Sequence, residues 1–307
     1  MSAESMMYAV QPLAFRPEML ISTTALEPNP LWVAGSSYSK DVRVVWVRAD
    51  GSAIVYYIYQ SLVSNNTTEP GTDLLAWLEI GPCNKCAMFD GRVSTRTEAS
   101  SPLVVVLEPG DITSNLGLLN LTGDSLTVEM LVGGEVIYTQ TVSLLGAEIS
   151  DWWSYYFTPD EQVTLALFDS LPAFYNQQLR ITLTGLGTVA IGHCVFGTRQ
   201  DIGELQYGAQ ANVVDYSRKV TDEFGVTSFV ERDYADEFSG QLLVQNAQLS
   251  SIKRLLRRLR ATPTLYVGSS DERFRELFVA FGWVRSHRIA VPYTNESLLD
   301  IEIGALT

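Results

Sequence analysis

Between residues 101 and 197, apolar and polar residues alternate in short runs that Gly, Pro, Asp and Asn interrupt. Alternation of period two puts every second side chain on one face of an extended strand, so each run can bury one face and wet the other. Eight strands follow from this pattern, at 103–108, 115–121, 125–131, 135–142, 153–157, 162–168, 178–184 and 188–196. Between them stand turn-forming stretches such as "EPGD" (108–111), "LTGD" (121–124), "VGGE" (132–135) and "TGLG" (184–187). Short strands at such regular spacing predict an antiparallel β-sandwich of jelly-roll type. Hydrophobic residues make up 46% of the 307 and charged residues 18%, which supplies a core and excludes a disordered chain.

The flanking regions read differently. Residues 31–82 are rich in aromatics and predict a small β module, and residues 1–30 an N-terminal strand or arm. Residues 198–307 predict a C-terminal α+β region with one amphipathic helix, against which the N-terminal strand is expected to pack. The division expected is therefore 1–30, 31–82, 83–197 and 198–307, in a mainly β protein. The helix is "AQLSSIKRLLRRLR" (247–260), with Leu249, Ile252, Leu255, Leu256 and Leu259 on one face. Asn246 is placed to cap its start, and Pro263 biases Thr262 away from helical geometry at its end. Strands are expected after it around 264–268, 283–291 and 297–303.

Charge is unevenly spread. The chain carries −14 overall, which argues against nucleic acid as a partner. Yet residues 249–288 hold nine Lys/Arg against three Asp/Glu. Lys253, Arg254, Arg257, Arg258 and Arg260 project from the polar side of the predicted helix and are the candidate assembly interface, with acidic neighbouring copies as partner. No apolar run reaches the ~18 residues that span a bilayer, so no membrane insertion is expected. The start, "MSAESMMYAV", has no basic residue and no apolar core, and does not read as a secretory signal. The sequons at Asn65, Asn66, Asn120 and Asn295 are accordingly expected to stay unmodified.

Candidate chemistry is sparse. Cys83 and Cys86 in "GPCNKCAMFDG" have the spacing of half a zinc site, and "IGHCVFG" offers His193 and Cys194. Adjacent strand residues point to opposite faces, so His193 and Cys194 do not readily share one ion; three buried thiols are the expectation, with no metal and no cofactor. "GLGTVA" (185–190) fits a loose dinucleotide fingerprint, but strand rather than helix follows it, so a turn is expected. G-x-S-x-G, P-loop and H-E-x-x-H motifs are all missing, and His193 and His287 are the two histidines. Acid pairs such as Asp160/Glu161 and Asp271/Glu272 offer glycosidase carboxylates, with solvated turns as the plainer reading. No catalytic residue is assigned. "SDWWSYYF" (150–157) places five rings in eight residues, suited to a sandwich core, a protein interface or the apolar face of a sugar.

Two resemblances rest on longer stretches. Trp32, "YSKDVRVVW" from Tyr38, "YYIYQS" ending at Ser61, Pro70 and Trp77 together resemble the small chitin-binding-type carbohydrate module. Lys40 stands where that family has Gly before the Asp, here Asp41. "EIGPCNKCAMFDGRVST", "VVVLEPGDITSNLGLLNL", "ISDWWSYYF", "AIGHCVFGTRQDIGELQYGA" and "DYSRKVTDEFGVTSFVERDYAD" are similar to bacteriophage tail proteins that carry a carbohydrate-binding-like domain. That likeness implies a virion component of tail or baseplate, made in the host bacterial cytoplasm and not an enzyme. Its implied partners are further copies of the chain and other tail, baseplate or fibre proteins, with host-surface glycan as a further contact. Trp32, Tyr38, Tyr59, Trp77, Trp152, Trp153 and Tyr155 are the candidate carbohydrate-binding residues. The competing functions are a receptor-binding protein that recognises host carbohydrate directly and, third, a glycan hydrolase.

Overall fold

The computed structural model describes residues 6–50, 53–146, 152, 162–232, 234–269 and 271–306. The chain forms two compact units, one of Leu13–Cys194 and one of Met1–Pro12 with Val195–Thr307. Its strands are β1 (Met6–Pro12), β2 (Leu20–Thr23), β3 (Arg43–Asp50), β4 (Ala53–Ser61), β5 (Trp77–Pro82), β6 (Thr97–Ser100), β7 (Leu103–Leu107), β8 (Asn115–Thr122), β9 (Ser125–Val132) and β10 (Glu135–Ser143). They continue with β11 (Leu165–Phe168), β12 (Gln177–Thr184), β13 (Thr188–Leu205), β14 (Gln210–Asp215), β15 (Arg218–Thr221), β16 (Thr227–Val230), β17 (Tyr234–Gln245), β18 (Thr264–Val267), β19 (Val279–Ala290) and β20 (Glu296–Ala305). Among the described residues, the one helix longer than a single turn is α1 (Leu249–Arg258).

In the unit of residues 13–194, a five-stranded antiparallel sheet runs β10-β9-β12-β7-β2. Its register aligns three apolar rows across β7, β12 and β9: Leu107–Leu179–Met130, Val105–Ile181–Val128 and Leu103–Leu183–Leu126. All nine side chains are buried while the residues between them are half-exposed, as the alternation requires. Each such burial contributes about 2 kcal/mol before chain entropy is subtracted. A second sheet runs β11-β8 to the first part of β13, which β6 also pairs. The segment 31–82 forms a separate three-stranded sheet, β3-β4-β5. The strand predicted at 153–157 lies outside the described residues. That predicted at 162–168 begins later, at Leu165.

The other unit is a closed barrel, which the strand pattern did not announce. Six strands run β13-β1-β18-β19-β20-β17 in antiparallel order, and Glu204↔Leu243 and Leu205↔Leu242 bring β17 back to β13. Closure leaves no free edge in the ring. One apolar cluster holds Met7 and Ala9 from β1, Phe238 and Leu242 from β17, and Leu299, Ile301 and Ile303 from β20. Gly282 sits where β19 passes β20: a Cβ there would come within 1.9 Å of the Gly304 carbonyl oxygen.

Helix α1 adds Ile252, Leu255, Leu256 and Leu259 to this same cluster, so its predicted apolar stripe faces its own domain. The expected cap is corrected. The residue before α1 is Gln248, which makes no side-chain cap bond, and a 3-10 turn at Asn246–Gln248 precedes it. The Asn246 amide instead donates to the Tyr293 and Thr294 carbonyls (3.2 and 2.8 Å) and accepts from Ser297. Tertiary partners outcompeted the local cap.

Candidate functional site

Around the three-stranded sheet, residues alternate between faces. Trp46 on β3 opposes Tyr57 on β4, Val44 opposes Tyr59, and Tyr59 opposes Glu79 on β5. Trp77 is buried and donates its indole N–H to the Thr68 carbonyl at 2.9 Å, with Tyr38 edge-on to it at 5.8 Å. Tyr38 is fixed in turn, since its hydroxyl accepts from the Val33 amide at 2.8 Å. Tyr59 is buried too; burial, then the Glu79 carboxylate, raises its phenol pKa above the ordinary value. Arg48 pairs with Glu79 and lies 4.7 Å from the centre of the Tyr57 ring. Trp77 and Tyr59 are therefore core of the small sheet, and neither presents a ring face to solvent.

Trp32 and Trp46 behave differently. Both are half-buried, and their rings meet edge to face with centroids 4.8 Å apart. The Trp32 indole N–H is enclosed and finds no hydrogen-bond partner among the described residues, which is costly for a buried donor. The sequence reading named Trp32 but passed over Trp46, although it closes the quoted run "YSKDVRVVW". Trp152 is 79% exposed. Trp153 and Tyr155 lie outside the described residues.

The departure at Lys40 has a simple structural answer. The left-handed residue of that turn is Asp41, with φ 67°, a conformation Asp tolerates better than most side chains. The Asp41 amide donates to the Ser61 carbonyl at 2.8 Å, and its carboxylate accepts from Gln60 at 3.0 Å. A glycine at position 40 is not what the turn needs. Asn66, one of the sequon residues, is buried with its amide nitrogen donating to Ser61 Oγ and the Ala76 carbonyl.

The loop 81–91 is a packed joint. Met88 and Phe89 are buried, and the Phe89 ring stacks on Phe15 with centroids 4.1 Å apart and planes 7° from parallel. The Met88 amide donates to Thr97 Oγ1 at 3.0 Å; the buried Asp90 carboxylate accepts from the Arg92 amide and the Thr95 hydroxyl. Gly91 has φ +80°, a left-handed value that glycine adopts without strain. Cys83 and Cys86 are free, buried thiols; a hydrogen bond between them lowers the Cys83 thiol pKa and, with burial, raises that of Cys86. Burial raises Cys194 and pushes His193 down to about 4. Among the described residues, no three His, Cys, Asp or Glu side chains gather as a metal-ligand set. An open cleft of about 320 Å³ is lined in part by Glu27, Asn29, Asn84 and Arg96. Glu27 accepts from the amides of Asn29 and Asn84, so much of its polar wall already serves the fold.

On the barrel unit, Lys253, Arg254, Arg257 and Arg258 on α1 and Arg260 just beyond its end are all exposed. A second surface feature was missed from the sequence. The hairpin β14–β17 continues beyond Asp215 and Tyr234 into the two-stranded ribbon β15–β16, closed by a turn in which Asp222 accepts from the Phe224 and Val226 amides. Val213, Tyr216, Val220, Phe224, Val226, Phe229, Val230 and Tyr234 on this arm are exposed, Phe224 by 91%. The signal was present in "DYSRKVTDEFGVTSFVERDY", an alternating pair of runs about an Asp–Gly turn, but alternation alone does not say that neither face is covered.

No protein-family model and no curated protein matches the chain. Among solved structures, it is similar to a mutant of chitosan-binding module 1 from a chitosanase/glucanase of Paenibacillus sp. IK-5. That similarity has a TM-score of 0.26 and 13% identity, over 37% of this chain and 84% of the other.

Proposed function

We propose that this protein is a structural, non-enzymatic subunit of a bacteriophage tail or baseplate, which assembles with copies of itself and with neighbouring tail or fibre proteins. In this reading it is made in the cytoplasm of the host bacterium and resides in the virion, and the sheets of residues 13–194 serve as a jelly-roll-like, carbohydrate-module-like sandwich. The observation that carries the reading is the arm formed by β15 and β16 with the adjoining ends of β14 and β17. An isolated two-stranded ribbon is marginal in water, and eight large apolar side chains along it remain wet. A closed barrel has no edge to offer a partner, so this projecting ribbon is the natural point of attachment between subunits.

The test is sedimentation velocity and electron microscopy of the full chain at rising concentration, beside a Phe224→Asp/Phe229→Asp variant. The wild type should form discrete higher-order particles and the variant should stay monomeric with an unchanged melting temperature. A wild type that remains monomeric at every concentration, alone and with tail proteins of the same phage, would refute the reading.

A second reading, direct contact with host-surface glycan, is favoured by the Trp32–Trp46 pair and its unpartnered indole N–H. Binding on a glycan array that disappears with Trp32→Ala or Trp46→Ala, and persists with Trp152→Ala, would locate such a site there.

A further inference from the structure

A solvated helix face normally mixes signs, because a Glu–Lys pair four residues apart stabilises the helix while like charges at that spacing destabilise it. Helix α1, "LSSIKRLLRR", contains no acid at all. Its geometry sets Lys253 above Arg257 and Arg254 above Arg258, two like-charge pairs at the unfavourable spacing. Arg257 and Arg258 in the last turn gain from the helix dipole, but Lys253 and Arg254 lie too far from the C-terminus to share much of it. None of Lys253, Arg254, Arg257, Arg258 and Arg260 takes part in an ion pair among the described residues, whereas Arg48, Arg180, Arg199 and Arg285 each do. Among the described residues, no ion pair offsets this repulsion.

The compensating charge is plentiful on the same molecule. Residues 13–194 hold nineteen Asp/Glu against eight Lys/Arg, a net of −11, while the barrel unit carries only −3. Four of the five cations on and just after α1 are Arg, whose planar fork grips carboxylates in two places at once.

We propose that the basic face of α1 is a docking surface for the acidic unit, residues 13–194, of a second copy of this chain. The inference rests on the reading of the protein as a self-assembling subunit and assigns a second contact besides the arm. Because the attraction joins opposite charges at partly exposed surfaces, it weakens as salt rises.

The experiment compares self-association of the full chain by sedimentation velocity at low and high sodium chloride. The wild type is set beside Arg254→Glu/Arg258→Glu and the charge-conserving Arg254→Lys/Arg258→Lys. Circular dichroism melts confirm that each variant is folded. The Glu variant should associate at least tenfold more weakly and lose the salt dependence, while the Lys variant stays within a few-fold of wild type. Equal association by the Glu variant overturns the inference and leaves the subunit reading intact. A wild type that never associates removes both. Heparin or duplex-DNA binding that the reversal abolishes, with self-association unaltered, overturns it in favour of a polyanion.

Discussion

Phe89 shows how much one side chain of the joint carries. Its ring is buried and stacked on Phe15, a residue seventy-four positions earlier, so truncation opens a cavity that the flat partner cannot fill. Phe89→Ala should lower unfolding free energy by about 3–5 kcal/mol in urea melts. Cys83→Ala removes a single sulfur atom and should cost about 1 kcal/mol. His193 supplies a pH dependence with a defined sign. Its folded pKa, near 4, lies below the ordinary 6.5, because burial disfavours the imidazolium. The unfolded chain therefore binds the proton more readily, and the stability due to neutral His193 is fully present above about pH 6.5 and lost as the pH falls toward 4. That loss is on the order of 3 kcal/mol. His193→Gln should flatten the fall in melting temperature between pH 7 and pH 4.5 relative to wild type. An identical fall in both proteins would show that other groups govern acid unfolding.

Among the elements, β1 does most for its size. Its seven residues pair with β13 on one side, Tyr8–Val10 pair with β18 on the other, and Met7 and Ala9 enter the barrel cluster. Without it the barrel has two free edges and an unfilled core. A chain lacking residues 1–12 should lose hydrogen-exchange protection in β17, β19 and β20, while β7, β9 and β12 of the other unit remain protected. Protection retained in both would mean that five strands suffice. The arm has the opposite character, since it contributes little to any core and spends apolar surface outward. A two-stranded ribbon of this kind is marginal on its own in water.

At the scale of the whole molecule, the chain begins one unit, leaves it for 182 residues, and returns to finish it. The −14 net charge is divided as unevenly as the fold: the inserted unit is strongly acidic and the barrel nearly balanced, because α1 offsets acids elsewhere in it.

The sequence by itself determined the strands of residues 103–143 and 178–196, because one buried face per strand imposes period two whatever the partner. It also determined α1 and its apolar stripe. Only the tertiary structure decided which strands close into a ring, since pairing over some 190 residues leaves no local periodic mark. It alone separated Trp32 and Trp46 from the buried Trp77 and Tyr59, for a tryptophan reads the same in a core and at a surface. The Asn246 cap gave way for a related reason: a side chain within reach of both a helix end and a distant carbonyl pair goes to whichever bonds the packed chain completes.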